Sequence, residues 1–176
     1  MTTLVLYESM FGNTRRIAEA IGDGLATAEV DVRVDLVSAV ANGAADLVVI
    51  GAPTHAHSLP RASSREEAAT WAQDPEKHLA LEPDASAPGV REWLDALATP
   101  PTAWAAFGTR ADIPRIFAGD ASAAIEKRMR RGGSPHPVAP SECFLVDLDN
   151  TLVDGELERA REWGRSLARH VGASQR

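Results

Sequence analysis

Residues 3–21 constrain the fold more than any other stretch, because they join a strand, a turn and a helix without a break. Leu4–Tyr7 is a continuous apolar run, which is typical of a parallel strand covered on both faces. Ile17, Ile21 and Leu25 recur every four residues, the spacing of one buried helical stripe. This stretch therefore predicts the opening strand, turn and helix of an α/β fold.

The turn between the strand and the helix, Ser9–Thr14, carries the chemistry of this stretch. Ser9, Asn13 and Thr14 supply short polar side chains, and Gly12 lets the backbone approach a ligand closely. The new helix points its unpaired N–H groups into the same space. The turn predicts an anion cradle that suits phosphate best. The structural alternative is that Asn13 or Thr14 only caps the helix.

Two arginines, Arg15 and Arg16, follow in the first helical turn. Cations there oppose the helix dipole by roughly 0.3–1 kcal/mol each, and a bound phosphate would relieve that conflict. The chain contains neither a Walker motif nor G-x-G-x-x-G. A nucleotide P-loop and a dinucleotide fingerprint are therefore both excluded.

The pattern of residues 3–21 closely resembles the flavodoxin signature, and the rest of the chain resembles that family more loosely. The matching residues are Val5, Leu6, Tyr7, Ser9, Gly12, Thr14, Ala18 and Ile21. The resemblance implies a three-layer, doubly wound α/β fold with a five-stranded parallel sheet of order 2-1-3-4-5. It also implies an FMN cofactor whose 5′-phosphate is held by Ser9, Met10, Phe11, Gly12, Asn13 and Thr14.

Length and composition indicate the class of protein. The 176 residues suit a single domain, 1–176, with a substantial core. Cys143 is the only cysteine, and no apolar leader or membrane-length run is present, so a cytoplasmic protein is expected. A net charge of −7 argues against nucleic acid as a partner and suits basic protein partners.

Two further strands follow the first helix. Val30, Val32 and Val34 alternate with charged residues, which indicates an edge strand with one exposed side. Leu47–Ile50 is fully apolar and predicts a buried strand. The short connection between the two predicts a crossover reduced to a turn or two.

The loop after that buried strand lies at the carboxyl edge of the sheet, where open α/β sheets bind ligands. The resemblance implies that Pro53, Thr54, His55, Ala56 and His57 lie near the flavin ring. The His-x-His pair also suggests a metal site. No further His or Cys follows at ligand spacing, so we predict no metal.

Residues 59–89 form an excursion longer than a typical loop. Ser64-x-x-Glu67 predicts a capping box, with Ala68, Ala69 and Trp71 on the helix beyond it. The excursion could be a lid over the ligand or an insertion that only packs its own helix. Both interpretations are open at the level of sequence.

Trp104–Phe107 is predicted as the fourth strand and Gly108–Pro114 as the loop at its carboxyl end. By resemblance, flavin contacts here would come from Phe107, Gly108, Thr109, Arg110 and Asp112. The chain departs from the flavodoxin pattern in this loop, because no aromatic residue stands between Gly108 and Arg115 to stack on the flavin. His55 or Trp71 could substitute for it.

Residues 143–153 are predicted as the fifth strand, followed by a last helix whose buried stripe includes Trp163, Leu167 and Val171. Asp147-x-Asp-x-Thr151 resembles the first motif of haloacid-dehalogenase phosphatases. That family needs this strand near the start of its domain, with a lysine downstream, and no lysine follows Lys127. We expect no phosphatase chemistry, and we expect Asp147 to lie away from the flavin site.

Three functions fit the sequence. The leading hypothesis is an FMN-binding redox protein that passes electrons between protein partners. The first alternative is an NAD(P)H-dependent reductase of a quinone-like acceptor, which the lid and the third loop would favour. The second alternative is a flavin-free interaction module.

Overall fold

The computed structural model describes residues 1–26, 30–41 and 44–174. Its five strands are all parallel and lie in the order β2-β1-β3-β4-β5, as the resemblance implied. They are β1 (Thr2–Tyr7), β2 (Asp31–Leu36), β3 (Leu47–Pro53), β4 (Trp104–Ala111) and β5 (Glu142–Val146). Because the strands are parallel, their carboxyl ends meet at one edge of the sheet.

Helices cover both faces of the sheet, which gives the three predicted layers. They are α1 (Asn13–Ala26), α2 (Ala62–Ala72), α3 (Val90–Ala96), α4 (Arg115–Ala118), α5 (Ala121–Arg131) and α6 (Glu156–Ser174). α1 and α6 pack against each other on one face, and α3 and α5 lie on the other. Among the described residues, no helix is both long and apolar enough to cross a membrane.

The core divides into two clusters because alternate residues of a strand point to opposite faces. Val5 and Tyr7 pack with the α1 and α6 side chains, including Ile17. Leu4 and Leu6 pack on the opposite face with α3 and α5. The continuous apolar run of β1 is therefore explained by burial on both sides, as predicted.

The predicted edge strand and its short crossover are both confirmed. Among the described residues β2 pairs only with β1, and its burial alternates from Asp31 to Val34 before both Asp35 and Leu36 become half-buried. The link to β3 contains a single 3₁₀ turn, Val37–Ala39, in its described part. No full crossover helix is present among residues 37–41 and 44–46.

Several predicted boundaries were wrong. β4 continues to Ala111, so the first half of the predicted third loop is strand. β5 ends at Val146, and the chain turns there instead of continuing to residue 153. Ser64 is the third residue of α2, not its cap, and its Oγ accepts the Arg61 N–H at 3.2 Å. The side chain of Val171 lies outside the described residues.

An ion pair is buried directly after β1. The Glu8 carboxylate accepts from the Arg65 guanidinium at 3.1 Å and from the Val90 N–H at 2.9 Å. Both charged side chains are almost fully buried, with exposed fractions of 6% and 5%. Burial raises the pKa of Glu8, while the Val90 N–H and Arg65 act in the opposite direction. The pair joins the end of β1 to α2 and α3.

Candidate functional site

A cleft of about 640 Å³ lies at the carboxyl edge of the sheet, within the size range of small-molecule sites. It lies where the order of strands reverses between β1 and β3, the usual ligand position in open α/β sheets. The predicted site residues that line it are Ser9, Met10, Phe11, Asn13, Thr14, Pro53, Thr54, His55, Thr109 and Arg110.

The Ser9–Thr14 loop is held by its own side chains. The Ser9 Oγ accepts the Gly12 N–H at 3.1 Å, and Gly12 has a left-handed φ of 88°. The Thr14 and Thr109 hydroxyls are hydrogen-bonded at 2.8 Å. Ser9 and Thr14 are both buried, so their oxygens are fixed in place where α1 begins. A loop of this kind at a helix N-terminus can supply hydrogen-bond donors to an anion.

A loop that the sequence analysis placed elsewhere completes the cleft. Asn13 donates from Nδ2 to the Asn150 carbonyl at 2.8 Å and to its Oδ1 at 3.0 Å. Residues 147–150 line the cleft, so the expectation that Asp147 lies away from the site was wrong. The Asp147 Oδ1 accepts N–H groups from Asp149 and Thr151, which shapes the turn. The position follows from β5 being parallel, because its carboxyl end reaches the same edge of the sheet.

Arg15 has carboxylate partners within the protein. Its guanidinium contacts Glu82 at 3.0 Å and Glu19 at 2.9 Å. These hydrogen bonds raise the pKa of Arg15 above its usual range. For Arg15 the conflict with the helix dipole is therefore offset without a phosphate, contrary to the argument made from sequence, whereas Arg16 is exposed to solvent. The Glu82 N–H also donates to the Met10 carbonyl at 2.8 Å, which ties the excursion to the Ser9–Thr14 loop.

The second predicted loop contributes its first half to the cleft. Thr54 is fixed because its N–H donates to the Thr109 carbonyl at 2.7 Å and its Oγ1 accepts the Ala121 N–H at 3.0 Å. Ala56 and His57 form a turn with φ values of 45° and 66°, and neither lines the cleft. A left-handed conformation is uncommon for residues other than glycine and stores strain in this turn.

His55 is part of an aromatic and charged cluster that reaches into the excursion. Its Nε2 lies 3.0 Å from the Glu67 carboxylate, and its ring centroid lies 5.6 Å from that of Trp71. The Lys77 ammonium lies 5.8 Å from the Trp71 ring. Trp71 and residues 76–79 line the cleft, so the excursion forms one of its walls.

The third predicted loop is divided between the core and the cleft. Phe107 is fully buried within β4, and Gly108 packs under the start of α5. Neither of these two residues lines the cleft. Arg110 lines it, donates to the Ile113 carbonyl at 2.7 Å, and keeps a buried Nε that has no partner among the described residues. The Asp112 side chain is exposed, outside the cleft.

The two histidines of the His-x-His pair have different surroundings. Within residues 1–26, 30–41 and 44–174, no group of three or more His, Cys, Asp or Glu residues could hold a metal ion. His55 instead pairs with Glu67, and His57 belongs to the exposed turn.

A sequence model of the flavodoxin domain matches residues 4–66, the stretch that contains β1, the Ser9–Thr14 loop and β3. Comparison with proteins of curated function finds no match. The family match therefore includes the motif on which the resemblance was based.

Solved flavodoxins share the architecture of the whole chain. A flavodoxin from the domain Archaea is 21% identical, with coverage of 98% of this chain and 99% of its own, and a TM-score of 0.64. The fold is that of the flavodoxins. Oxidised flavodoxin 1 from Bacillus cereus is 17% identical, covers 97% and 99% of the two chains, and also has a TM-score of 0.64.

The flavodoxin-like fold also occurs as part of a larger protein. The rubredoxin:oxygen oxidoreductase of Desulfovibrio gigas is 14% identical and has a TM-score of 0.59. The match covers 99% of this chain but 37% of that protein.

Proposed function

We propose that this flavodoxin-like chain binds FMN in the cleft and transfers electrons to a redox partner. The observation that carries this proposal is the Ser9–Thr14 loop at the start of α1, where two buried hydroxyls open into a cleft of about 640 Å³. Helix N-termini bind phosphate through free N–H groups, and the cleft has the volume of a small-molecule site. The similarity of the fold to that of solved flavodoxins supports the same assignment.

The residues present fit a phosphorylated flavin. Ser9, Asn13 and Thr14 line the cleft and would hold the phosphate. Gly12 does not line it, because the space beside its Cα is occupied by Glu82 and Arg15. Arg110 also lines the cleft and brings a cationic side chain to the ligand site.

The walls of the cleft fit the ring of the same ligand. Trp71 and His55 supply aromatic surface near the carboxyl end of β3, in place of the aromatic residue absent from the third loop. Pro53 and Thr54 would fix the position of the ring by packing and backbone contacts. Bound flavin supplies the capacity to accept and release one or two electrons. The protein orients the ring and limits its access to water.

A reductase acting on a small acceptor is the second candidate function. The excursion favours it, because residues 76–79 and Trp71 form a wall over the cleft that a small molecule can pass more easily than a protein. A carrier would need the ring close to its protein partner. The rate of NAD(P)H oxidation with a soluble quinone would separate the two functions.

The cofactor proposal is tested by comparing FMN with riboflavin, which lacks the phosphate. We expect one FMN per chain, with riboflavin binding at least about tenfold more weakly, since several charge-assisted hydrogen bonds are lost. Calorimetric titration of flavin-free protein measures both affinities. Equal affinities would contradict the phosphate site, and no binding of either flavin would favour an interaction module.

Glu82 is expected to weaken phosphate binding, and Glu82→Gln should therefore strengthen it. A side-chain carbon added at Gly12 would lie 3.3 Å from the Glu82 carboxylate, so that negative charge is close to the loop. We expect affinity for FMN to rise roughly threefold to tenfold in the variant, because a like charge is removed and Arg15 is released.

Glu19→Gln is the matched control for that variant. It removes the other carboxylate from Arg15 but leaves the excursion and its Met10 contact intact. We expect little change in FMN affinity for this control. Equal gains in both variants would show that the effect comes from Arg15 alone, and no gain in either would place the phosphate far from Glu82.

A further inference from the structure

A second cavity, of about 720 Å³, adjoins the cleft and shares His55 and Trp71 with it. Its other lining residues include Arg61, Ser63, Thr70 and Arg91, and all of these lie on the excursion or at the start of α3. The proposed FMN site does not use this cavity. Because the two spaces share a wall, a ligand in the second cavity could reach the cleft past these two rings.

Arg91 is fixed at the edge of this cavity by backbone groups. Its Nε donates to the Pro60 carbonyl at 2.9 Å, and its Nη2 donates to the Leu59 carbonyl at 2.5 Å. These bonds hold the guanidinium in place without neutralising its charge. Within the described residues, Arg91 forms no ion pair and its Nη1 donates no hydrogen bond.

The cavity has an excess of positive charge. Burial lowers the pKa of Arg91, the nearby Arg128 and Arg61 lower it further, and Glu92 and Asp95 act in the opposite direction. Arg61 is exposed and has no carboxylate partner among the described residues, whereas Arg128 is paired with Asp95. The acidic residue that lines the cavity is Glu67, which is bonded to His55. Two guanidinium groups that form no ion pair among the described residues, in a chain of net charge −7, favour an anionic ligand.

We propose that this cavity binds the phosphate groups of a second substrate of the nicotinamide dinucleotide class. One guanidinium group can bind two phosphate oxygens at once. Arg61 and the anchored Arg91 could each bind a phosphate in this way. The shared rings of His55 and Trp71 give the substrate's own ring an aromatic surface at the entrance to the cleft. The proposal rests on the second candidate function above, the reductase, because there a nicotinamide reductant has to reach the flavin.

The test measures NADPH binding to the full chain by calorimetry, with and without saturating FMN. Arg61→Glu should weaken NADPH binding by roughly tenfold or more, because phosphate contacts to arginine are charge-assisted. Arg131→Glu is the control: it makes the same charge change on an exposed residue at the end of α5. It should leave NADPH affinity unchanged. Arg61 is itself exposed, so its replacement should leave the thermal midpoint within about a degree or two of the parent.

The outcomes distinguish this proposal from the FMN proposal. Weaker NADPH binding in Arg61→Glu but not in Arg131→Glu, with FMN affinity unchanged in both, supports the second cavity. Equal NADPH affinity in all three proteins overturns it, as does competition between NADPH and FMN for one site. If the parent chain fails to bind FMN, the proposed function fails, while an Arg61-dependent affinity for NADPH would still support the cavity.

Discussion

Arg65→Met is expected to lower the free energy of unfolding by about 3–5 kcal/mol at pH 7, because it leaves the Glu8 carboxylate buried without its cation. Methionine fills a similar volume, so the loss comes chiefly from the unpaired charge. Glu92 also loses a partner, but its side chain is 38% exposed and water can solvate it. Urea denaturation, followed by circular dichroism, measures the difference.

The effect of Arg65→Met should depend on pH in a defined direction. Burial already raises the pKa of Glu8 in the native protein, and removing the guanidinium raises it further. A carboxyl whose folded pKa is above its unfolded value loses stability as pH rises between the two values. The difference between parent and variant should therefore be largest near neutrality and shrink as acid protonates Glu8.

Two comparisons isolate the charge effect. Arg65→Met combined with Glu8→Gln removes both charges and should recover most of the lost stability. Arg33→Met breaks the exposed pair with Asp35 and should change stability by less than about 1 kcal/mol. A loss in Arg65→Met that is independent of pH and persists in the double variant would indicate lost packing instead.

The second large effect is expected from Ser9→Ala combined with Thr14→Val. Removing both hydroxyls should weaken FMN binding by roughly 100-fold to 10,000-fold, since each hydrogen bond to a charged group contributes about 1.5–3 kcal/mol. Both side chains are buried where the loop meets α1, and valine keeps the volume of Thr14. Fluorescence titration with FMN gives the affinity.

Riboflavin supplies the internal control for this variant. Because it has no phosphate, its affinity should change far less than that of FMN, and the two flavins should bind the double variant almost equally. An equal loss for both flavins would show that the loop itself has been disrupted. We also expect a modest loss of stability, because the two hydroxyls are hydrogen-bonded to the Gly12 N–H and to Thr109 and the variant removes both bonds.

The sequence was sufficient for the features that depend on local pattern. The apolar run of Leu4–Tyr7 reflects burial on both faces of the sheet, and the alternation in β2 reflects burial on one face. Both can be read from the periodicity of apolar residues. The order of strands came from the resemblance rather than from periodicity. Strand ends were less accurate: β4 continues through Thr109 and Arg110 because these polar residues still pair with β3 or β5.

Contacts between distant segments could not be predicted in this way. Nothing near Glu8 indicates that Arg65 is its partner, since an acid after a strand is usually solvated. The contact of Glu82 with Arg15 likewise depends on how the excursion folds back. The position of Asp147, in contrast, could have been inferred, because the carboxyl ends of all the parallel strands share one edge.

The contact between Asn13 and Asn150 has a consequence for synthesis of the chain. These residues are separated by 137 positions, so at elongation rates of about 5–20 residues per second the ribosome adds the second roughly 7–27 s after the first. Throughout that interval the Ser9–Thr14 loop has no partner from the turn after β5, and one wall of the cleft does not yet exist. The complete cleft, and with it the proposed flavin site, therefore forms only in chains that have been synthesised past Asn150.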